Sequence, residues 1–325
     1  MAKSKIVVAG SAGYTGGELI RILINHPEVE LAALLSESNA GNPVHKIHQD
    51  LYGDTDLKFS DTIPEDYDVL FICSGHGNSK KFLEKNPIPD HVKIIDLSND
   101  FRLKNNAVFQ NREFIYGLPE INREKIKNAI SIANPGCFAT TIQLGLLPLA
   151  GAAGIEEAFT TGITGSTGAG QSLSSTGHFS WRANNIQAYK TLTHQHVEEV
   201  LQSLNSLQQQ EARLNFVPWR GDFTRGIFVS SQVKTSLSIE EIKSIYRDFY
   251  RNDPFTKIIE EPLHLKQVVN TNKCLIQIEQ EGNQLVIHSA LDNLLKGASG
   301  QAVQNMNLML GIEETTGLKI KANYF

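Results

Sequence analysis

Apolar residues in the first half of the chain fall into short unbroken runs separated by helical patterns. The runs are 5–9 (KIVVA), 31–35 (LAALL), 68–73 (DVLFIC), 92–97 (VKIIDL) and 129–133 (AISIA). Runs this short, bounded by turn residues, predict strands of a parallel sheet buried on both faces. Between the first two, GELIRILINHP reads as a helix that Pro27 helps to stop. Strand and helix in alternation predict a doubly wound α/β domain of the Rossmann type.

Beyond about residue 150 the pattern changes. Gly, Ser and Thr crowd 161–177. Apolar and polar positions then alternate in RLNFVP, RGIFVSSQVKT, KCLIQIEQ and QLVIHSA, which predicts longer, half-buried strands of an antiparallel or mixed sheet. Helices are expected over HVEEVLQSLNSL, over SIEEIKSIYRDFY with Ser238 as N-cap, and over about 299–312. The second region therefore reads as an α+β domain. The expected division is 1–136 with 300–325 as a dinucleotide-binding domain, and 137–299 as a catalytic, substrate and dimerisation domain.

A chain of 325 residues with 41% hydrophobic and 20% charged residues has room for two ordinary globular cores. The formal net charge is −5 and there is no basic block, so nucleic acid is not an expected partner. No apolar run approaches the roughly 18–20 residues of a membrane span. The opening MAKSKIVVAG is too short for a signal-peptide core, and the expected location is the cytoplasm. The three cysteines, Cys73, Cys137 and Cys274, lack the spacing of a disulfide framework or a zinc site, and no metal is expected. Cys73 and Cys274 read as buried strand residues.

Two local motifs carry chemistry. Gly10-Ser11-Ala12-Gly13-Tyr14-Thr15-Gly16 joins the first strand to the first helix, where glycines let the backbone approach a pyrophosphate and a helix N-terminus attracts its charge. The second strand ends at Ser36-Glu37-Ser38, where the ribose is usually read. Glu37 suits the 2′-hydroxyl of NAD and the two serines suit the 2′-phosphate of NADP, so these residues leave the choice open. Cys137 follows Asn134-Pro135-Gly136 and opens the run FATTIQLGLLPLAG, which reads as a helix up to Pro148. A cysteine at a helix N-terminus gains thiolate character, and nearby N–H groups can hold an oxyanion. Among ten histidines, His194 and His196 stand together before a helix. Residues two apart share no face of a helix or strand, so one of the pair is expected to face the cysteine as its acid–base partner.

With these residues in place, the chain resembles the N-acetyl-γ-glutamyl-phosphate reductases of arginine biosynthesis, relatives of the aspartate-semialdehyde dehydrogenases. The resemblance rests on GSAGYTGGEL (10–19), DLSNDFRL (96–103), YGLPE (116–120), NPGCFAT (134–140), STGAGQ (166–171), YKTLTHQH (189–196) and DNLLKGASGQAVQNMNLMLG (292–311), in that order. It implies reduction of an acyl phosphate to an aldehyde through a Cys137 thioester, with His196 as acid–base group and His194 as second choice. It implies NADP, with NAD less favoured, held by residues 10–16 and by Ser36 and Ser38. It places Ser166, Gly168, Ala169 and Asn293 near the nicotinamide, and Arg102, Asn134, Gln171 and Arg225 at the substrate and its phosphate. A homodimer or homotetramer is the implied assembly.

The chain departs from the pattern where relatives often carry HRH and Gly-Ala-Gly-Arg. Gln195 and Gln171 stand there instead, so the acyl group, acetyl or succinyl, stays open. The alternatives are the same chemistry on an aminoadipyl or aspartyl phosphate, and a nucleotide sensor that has lost catalysis.

Overall fold

A computed structural model describes residues 2–75 and 77–325. The chain forms two compact units, Met1–Gly136 with Ala298–Lys319, and Cys137–Gly297 with Ile320–Phe325. Residues 320–325, expected with the first unit, belong to the second. There Asn323 N donates to Val269 O and Asn270 Nδ2 to Lys321 O.

The first unit is a sheet of β1 (Ser4–Ala9), β2 (Val29–Leu35), β3 (Phe59–Ser60), β4 (Val69–Ile72), β5 (Lys93–Asp96), β6 (Val108–Phe109), β7 (Arg112–Tyr116) and β8 (Ser131–Ala133). Their spatial order is β3-β2-β1-β4-β5-β8-β7-β6, parallel throughout except for the β6–β7 edge hairpin. The strand order reverses direction beside β1, at the point where open α/β sheets bind ligands. Helices α1 (Tyr14–Leu23), α2 (Ser79–Lys85), α3 (Pro119–Lys127) and α8 (Gly300–Leu310) complete the unit. The apolar runs legible in the sequence are its core: Val7, Leu70, Ile72 and Ile94 are fully buried.

The second unit is built on a mixed sheet of β9 (Glu157–Thr164), β10 (Gln187–Ala188), β11 (Arg213–Arg220), β12 (Ile227–Lys234), β13 (Thr256–Ile258), β14 (Cys274–Glu281) and β15 (Gln284–Leu291), in the order β10-β11-β9-β12-β15-β14-β13. Helices α4 (Cys137–Ala152), α6 (His196–Leu207) and α7 (Ile239–Phe249) pack with it, and α5 (Phe179–Arg182) is a single turn. Helix α7 starts at the expected N-cap, and a capping box closes it: Ser238 Oγ accepts from Glu241 N, and the Glu241 carboxylate accepts from Ser238 N at 2.8 Å.

Helix α4 is apolar on all sides and buried from Phe138 to Ala150. It does not stop at Pro148, as the sequence led us to expect. A proline inside a helix cannot donate to the carbonyl four residues back, here Leu144. That carbonyl instead accepts the Tyr250 hydroxyl at 2.6 Å, and the next, Gly145 O, accepts the Tyr246 hydroxyl at 2.6 Å. The Tyr250 phenol, just past the end of α7, thus replaces the bond that Pro148 removes.

Strand β9 was not legible beforehand. It is a central strand, parallel to β11 and antiparallel to β12. Its inward residues are Ala158, Thr160, Gly162 and Thr164, small or polar, so the burial alternates while the hydrophobicity does not. A Cβ at Gly162 would lie 2.6 Å from the Phe138 ring, and Thr160 Oγ1 shares a hydrogen bond of 2.9 Å with Ser231 Oγ.

Candidate active site

In the first unit, the loop between β1 and α1 has the features a dinucleotide pyrophosphate needs. Gly10 sits at φ +73°, and a Cβ there would meet the Cys73 carbonyl at 2.7 Å. A Cβ at Gly16 would lie 2.6 Å from the Ser11 backbone. Gly13 caps α1 without a side chain, and the first turn, with Tyr14 and Thr15, carries no acidic group. The positive end of α1 is therefore left to an external anion. Ser11 is fully buried and its hydroxyl donates to Leu35 O at 2.9 Å, so it and Ala12 offer backbone rather than side chain to a ligand.

At the end of β2, Asn39 Nδ2 donates to Ser36 Oγ at 3.0 Å and Ser38 Oγ at 3.1 Å, which draws the two hydroxyls together. Glu37 turns to Lys85, with Nζ to Oε1 at 2.8 Å. Lys85 places a cation at a loop that had none in the local sequence.

Arg102 and Asn134 form a brace in this unit. Arg102 is buried and donates from Nε to Asn134 O at 2.8 Å and from Nη2 to Leu97 O at 2.9 Å. Asn134 N donates to Asp96 O at 2.8 Å, its Nδ2 to Ala298 O at 3.1 Å, and its Oδ1 accepts from Asn305 Nδ2 at 3.0 Å. Expected at the substrate, both side chains are engaged inside the fold, and they fix the residue three places ahead of Cys137. Burial pushes the nearby Asp96 carboxyl up to about 6, against hydrogen bonds from Ser79 and Ser98.

In the second unit, Cys137 is the first residue of α4, where the helix dipole favours a thiolate. Gly297 lies directly against it: a Cβ at Gly297 would be 2.8 Å from Cys137 Cβ. The two histidines meet, although residues two apart share no face of a regular helix or strand. His196 opens α6 while His194 precedes it, and their rings touch edge to face with centroids 4.7 Å apart.

The turn that returns the chain to this point holds Lys190 (φ +46°) and Leu192 (φ +60°) in the left-handed region, which costs about 1–3 kcal/mol each. It delivers His194 between Phe138 at 5.8 Å, Phe216 at 5.5 Å and Tyr189 at 5.7 Å. His194 Nδ1 accepts from His196 N at 3.2 Å, so in the neutral ring the proton sits on Nε2. Burial, helped by Lys190, lowers His194 to about 4 and keeps it neutral at pH 7. Burial, and then the charge of Cys137, raises the Tyr189 phenol. Cys73, expected as a buried strand residue, lies one residue past the end of β4 and is half-buried.

A further group gathers at the end of β9. Residues 166–169 form one tight turn, with Ser166 half-buried and Gly168 and Ala169 exposed. Asn293 ties it down: Nδ2 donates to Thr167 Oγ1 at 3.0 Å, and Oδ1 accepts from Gly226 N at 2.7 Å. Arg225, expected at the substrate and its phosphate, is paired within the fold. It forms a two-point ion pair with the buried carboxylate of Asp292, at 3.0 and 3.2 Å. Gln171 lies exposed in the loop beyond.

Tyr189, Arg182 and Arg220 were missed from the sequence. Tyr189 stood in a segment used for the resemblance, and its position beside the histidines was the available signal. The two arginines had none.

The comparisons agree with this division. Residues 5–129 match the semialdehyde dehydrogenase NAD binding domain, so the first unit is a nicotinamide-dinucleotide-binding domain. Residues 137–293 match the semialdehyde dehydrogenase dimerisation domain. Among solved structures, an aspartate semialdehyde dehydrogenase II from Vibrio cholerae superposes with TM-score 0.73 at 17% identity, over 96% of this chain and 99% of that one. Aspartate semialdehyde dehydrogenase with NADP from Candida albicans gives 0.72 at 15%, over 95% and 98%. At these identities the likeness is one of fold. No helix among the described residues is long and apolar enough to cross a membrane.

The sequence relatives are nearer. Proteins named N-acetyl-gamma-glutamyl-phosphate reductase are 54% identical in Bacteroides fragilis and 53% identical in Bacteroides thetaiotaomicron, each over 99% of both chains. Another, from Christiangramia forsetii, is 53% identical over 98% of both. With identity of this order along its whole length, and with a cysteine, two histidines and a dinucleotide loop in place, the chain belongs to the N-acetyl-gamma-glutamyl-phosphate reductase family.

Proposed function

We propose that the protein reduces N-acetyl-γ-glutamyl phosphate to N-acetylglutamate 5-semialdehyde, with release of phosphate, in arginine biosynthesis. The observation that carries this reading is Cys137 at the head of a buried helix, with the His194–His196 pair packed against the adjoining Phe138.

Cys137 thiolate attacks the acyl carbon; the carbon–sulfur bond forms and the bond to phosphate breaks, leaving a thioester. N–H groups at the start of α4 stabilise the oxyanion. Hydride for the thioester carbon is what the bound dinucleotide supplies. The thiohemiacetal then collapses, the sulfur leaves and His196 handles the proton. His194 is the poorer proton donor, because its ring stays neutral and its Nδ1 is occupied. It positions His196 and shapes the wall of the site. Arg102, Asn134, Asn293 and Arg225 act as braces, since their polar atoms are engaged in the fold.

NADP is the proposed cofactor. Gly10 to Gly16 hold its pyrophosphate, and Ser36 and Ser38 hold the 2′-phosphate with Lys85 as counter-charge. The second unit is proposed to pair the protein into a homodimer or a homotetramer through its sheet.

The test is the reverse reaction, with N-acetylglutamate semialdehyde, phosphate and NADP, followed by absorbance of the reduced cofactor. Signal that requires phosphate and vanishes in Cys137→Ala supports the thioester route. Turnover that survives in Cys137→Ser refutes it. A larger loss in His194→Asn than in His196→Asn reverses the histidine roles.

A further inference from the structure

Arg225 is balanced by Asp292, and Arg102 is held by backbone carbonyls within the first unit. Two other arginines, gathered near Tyr189 in the second unit, have no such two-point carboxylate partner among the described residues. Arg220 ends β11, in register with Thr164 of β9 and Gln187 of β10. Its guanidinium carbon lies 4.3 Å from the centroid of the Tyr189 ring. Arg182 closes the short helix α5 and is 8% exposed. Its Nη2 donates to Gly221 O at 3.0 Å and Thr164 O at 3.4 Å, one neighbour of Arg220 in the chain and its partner in the sheet. Its Nε is buried with no hydrogen-bond partner.

Neither arginine forms an ion pair with a carboxylate among the described residues. The acidic residue close by, Asp222, accepts from Asn184 N at 2.6 Å. Arg220 has one long contact to a neutral group, Gln187 Oε1 at 3.4 Å. Two guanidinium groups held together and partly out of water are costly without an anion. Burial and then the charge of Arg220 weaken proton binding by Arg182, against the opposing pull of Tyr189 and Asp222.

We propose that Arg182 and Arg220, backed by the Tyr189 ring, are a clamp for a carboxylate of the acylglutamyl substrate. The planar fork of arginine matches a carboxylate through two parallel hydrogen bonds, and the orphaned Nε of Arg182 is a donor awaiting one. The Tyr189 ring meets the Arg220 guanidinium at 4.3 Å and the His194 ring at 5.7 Å, which suits a substrate whose carboxylate lies a few bonds from its acyl carbon. That carboxylate is either the α-carboxylate, common to every acylglutamyl substrate, or one at the end of a dicarboxylic acyl group such as succinyl. The proposal rests on the reductase reading for its substrate.

Two measurements on the full chain test it. The first is steady-state kinetics of the reverse reaction in Arg220→Gln, with Arg220→Lys as the charge-conserving control. Arg220 is half-buried, and among the described residues its side chain has one long hydrogen bond, to Gln187, besides its contact with the Tyr189 ring, so its replacement spares the fold; Arg182→Gln is a supporting variant. The KM for the semialdehyde rises roughly 10- to 100-fold, the loss expected for a charge-assisted hydrogen-bonded pair. The KM for phosphate and kcat stay within about threefold of wild type, and lysine restores part of the loss.

An equal rise for N-acetyl and N-succinyl semialdehydes assigns the α-carboxylate; a rise confined to the N-succinyl form assigns the acyl carboxylate. A rise in phosphate KM alone, or no rise for either semialdehyde, overturns the clamp. The second measurement needs no turnover: protection of Cys137 from iodoacetamide by N-acetylglutamate and N-succinylglutamate. Protection in wild type that weakens in Arg220→Gln upholds the clamp even if every semialdehyde fails as substrate, in which case the reductase reading alone is lost. Absence of protection in wild type overturns the clamp.

Discussion

Replacing Gly297 by alanine is the sharpest probe of how Cys137 is held. The added Cβ would lie 2.8 Å from Cys137 Cβ, 3.2 Å from Cys137 Cα and 3.2 Å from Leu291 Cδ1. Non-bonded carbons prefer roughly 3.5–4.0 Å, so something must move by over half an ångström. None of the three atoms ends a long flexible side chain, and two belong to the nucleophile itself. Overpacking of this kind costs about 1–3 kcal/mol. Displacing a reacting group by about 1 Å costs on the order of 100-fold in rate.

The expected result is a loss of roughly 10- to 100-fold in kcat/KM, together with a changed rate of Cys137 alkylation by iodoacetamide. A parallel run on Cys137→Ala corrects for labelling of Cys73, which is half-buried. Gly151→Ala, in the helix that Cys137 opens, is the control. Its Cβ would meet only Leu207 Cδ1 at 3.9 Å, an ordinary contact, and alanine gains roughly 0.5–1 kcal/mol over glycine in a helix. Wild-type alkylation and turnover in Gly297→Ala would mean that the close approach does not constrain the cysteine, and the reasoning would fail.

Tyr250→Phe removes the hydroxyl that satisfies Leu144 O above Pro148, and should destabilise the protein by about 1–3 kcal/mol in urea unfolding. The cost should shrink in a Pro148→Ala background, where the alanine N–H takes over; equal costs in both would refute the pairing. His194 makes stability depend on pH. Its folded value of about 4 lies below the ordinary 6.5, so between those values the unfolded chain binds the extra proton. The contribution is complete above pH 6.5 and declines as pH falls towards 4, by up to about tenfold in the folding constant per pH unit. Unfolding curves at pH 7 and 5 should converge in His194→Gln relative to wild type, and an unchanged pH slope would count against the shift. Lys85→Gln should raise KM for NADP several-fold and leave KM for NAD unchanged; equal effects would remove Lys85 from 2′-phosphate recognition.

The sequence by itself determined whatever is settled within one element. The continuous apolar runs could only be strands buried on both faces. Gly10 to Gly16 between strand and helix announced the dinucleotide loop, Pro135-Gly136 ahead of an apolar run placed Cys137 at a helix start, and Ser238 with Glu241 marked the start of α7. Each of these depends on periodicity, turn chemistry or capping, which act over a few residues.

Tertiary structure decided whatever depends on a distant partner. Central β9 was hidden because Phe138 requires a glycine at position 162, and a hydroxyl pair with Ser231 fills the place of an apolar contact. Pro148 stays inside a helix because Tyr250, from another helix, supplies the missing donor. His194 and His196 meet because a strained turn, not a regular element, precedes α6. Arg225 and Arg220 look equally charged in the sequence. Only the fold shows that Asp292, 67 residues away, has neutralised one and that no carboxylate among the described residues has neutralised the other. Whether a charge is available for binding is a property of its surroundings, and long-range packing sets those surroundings.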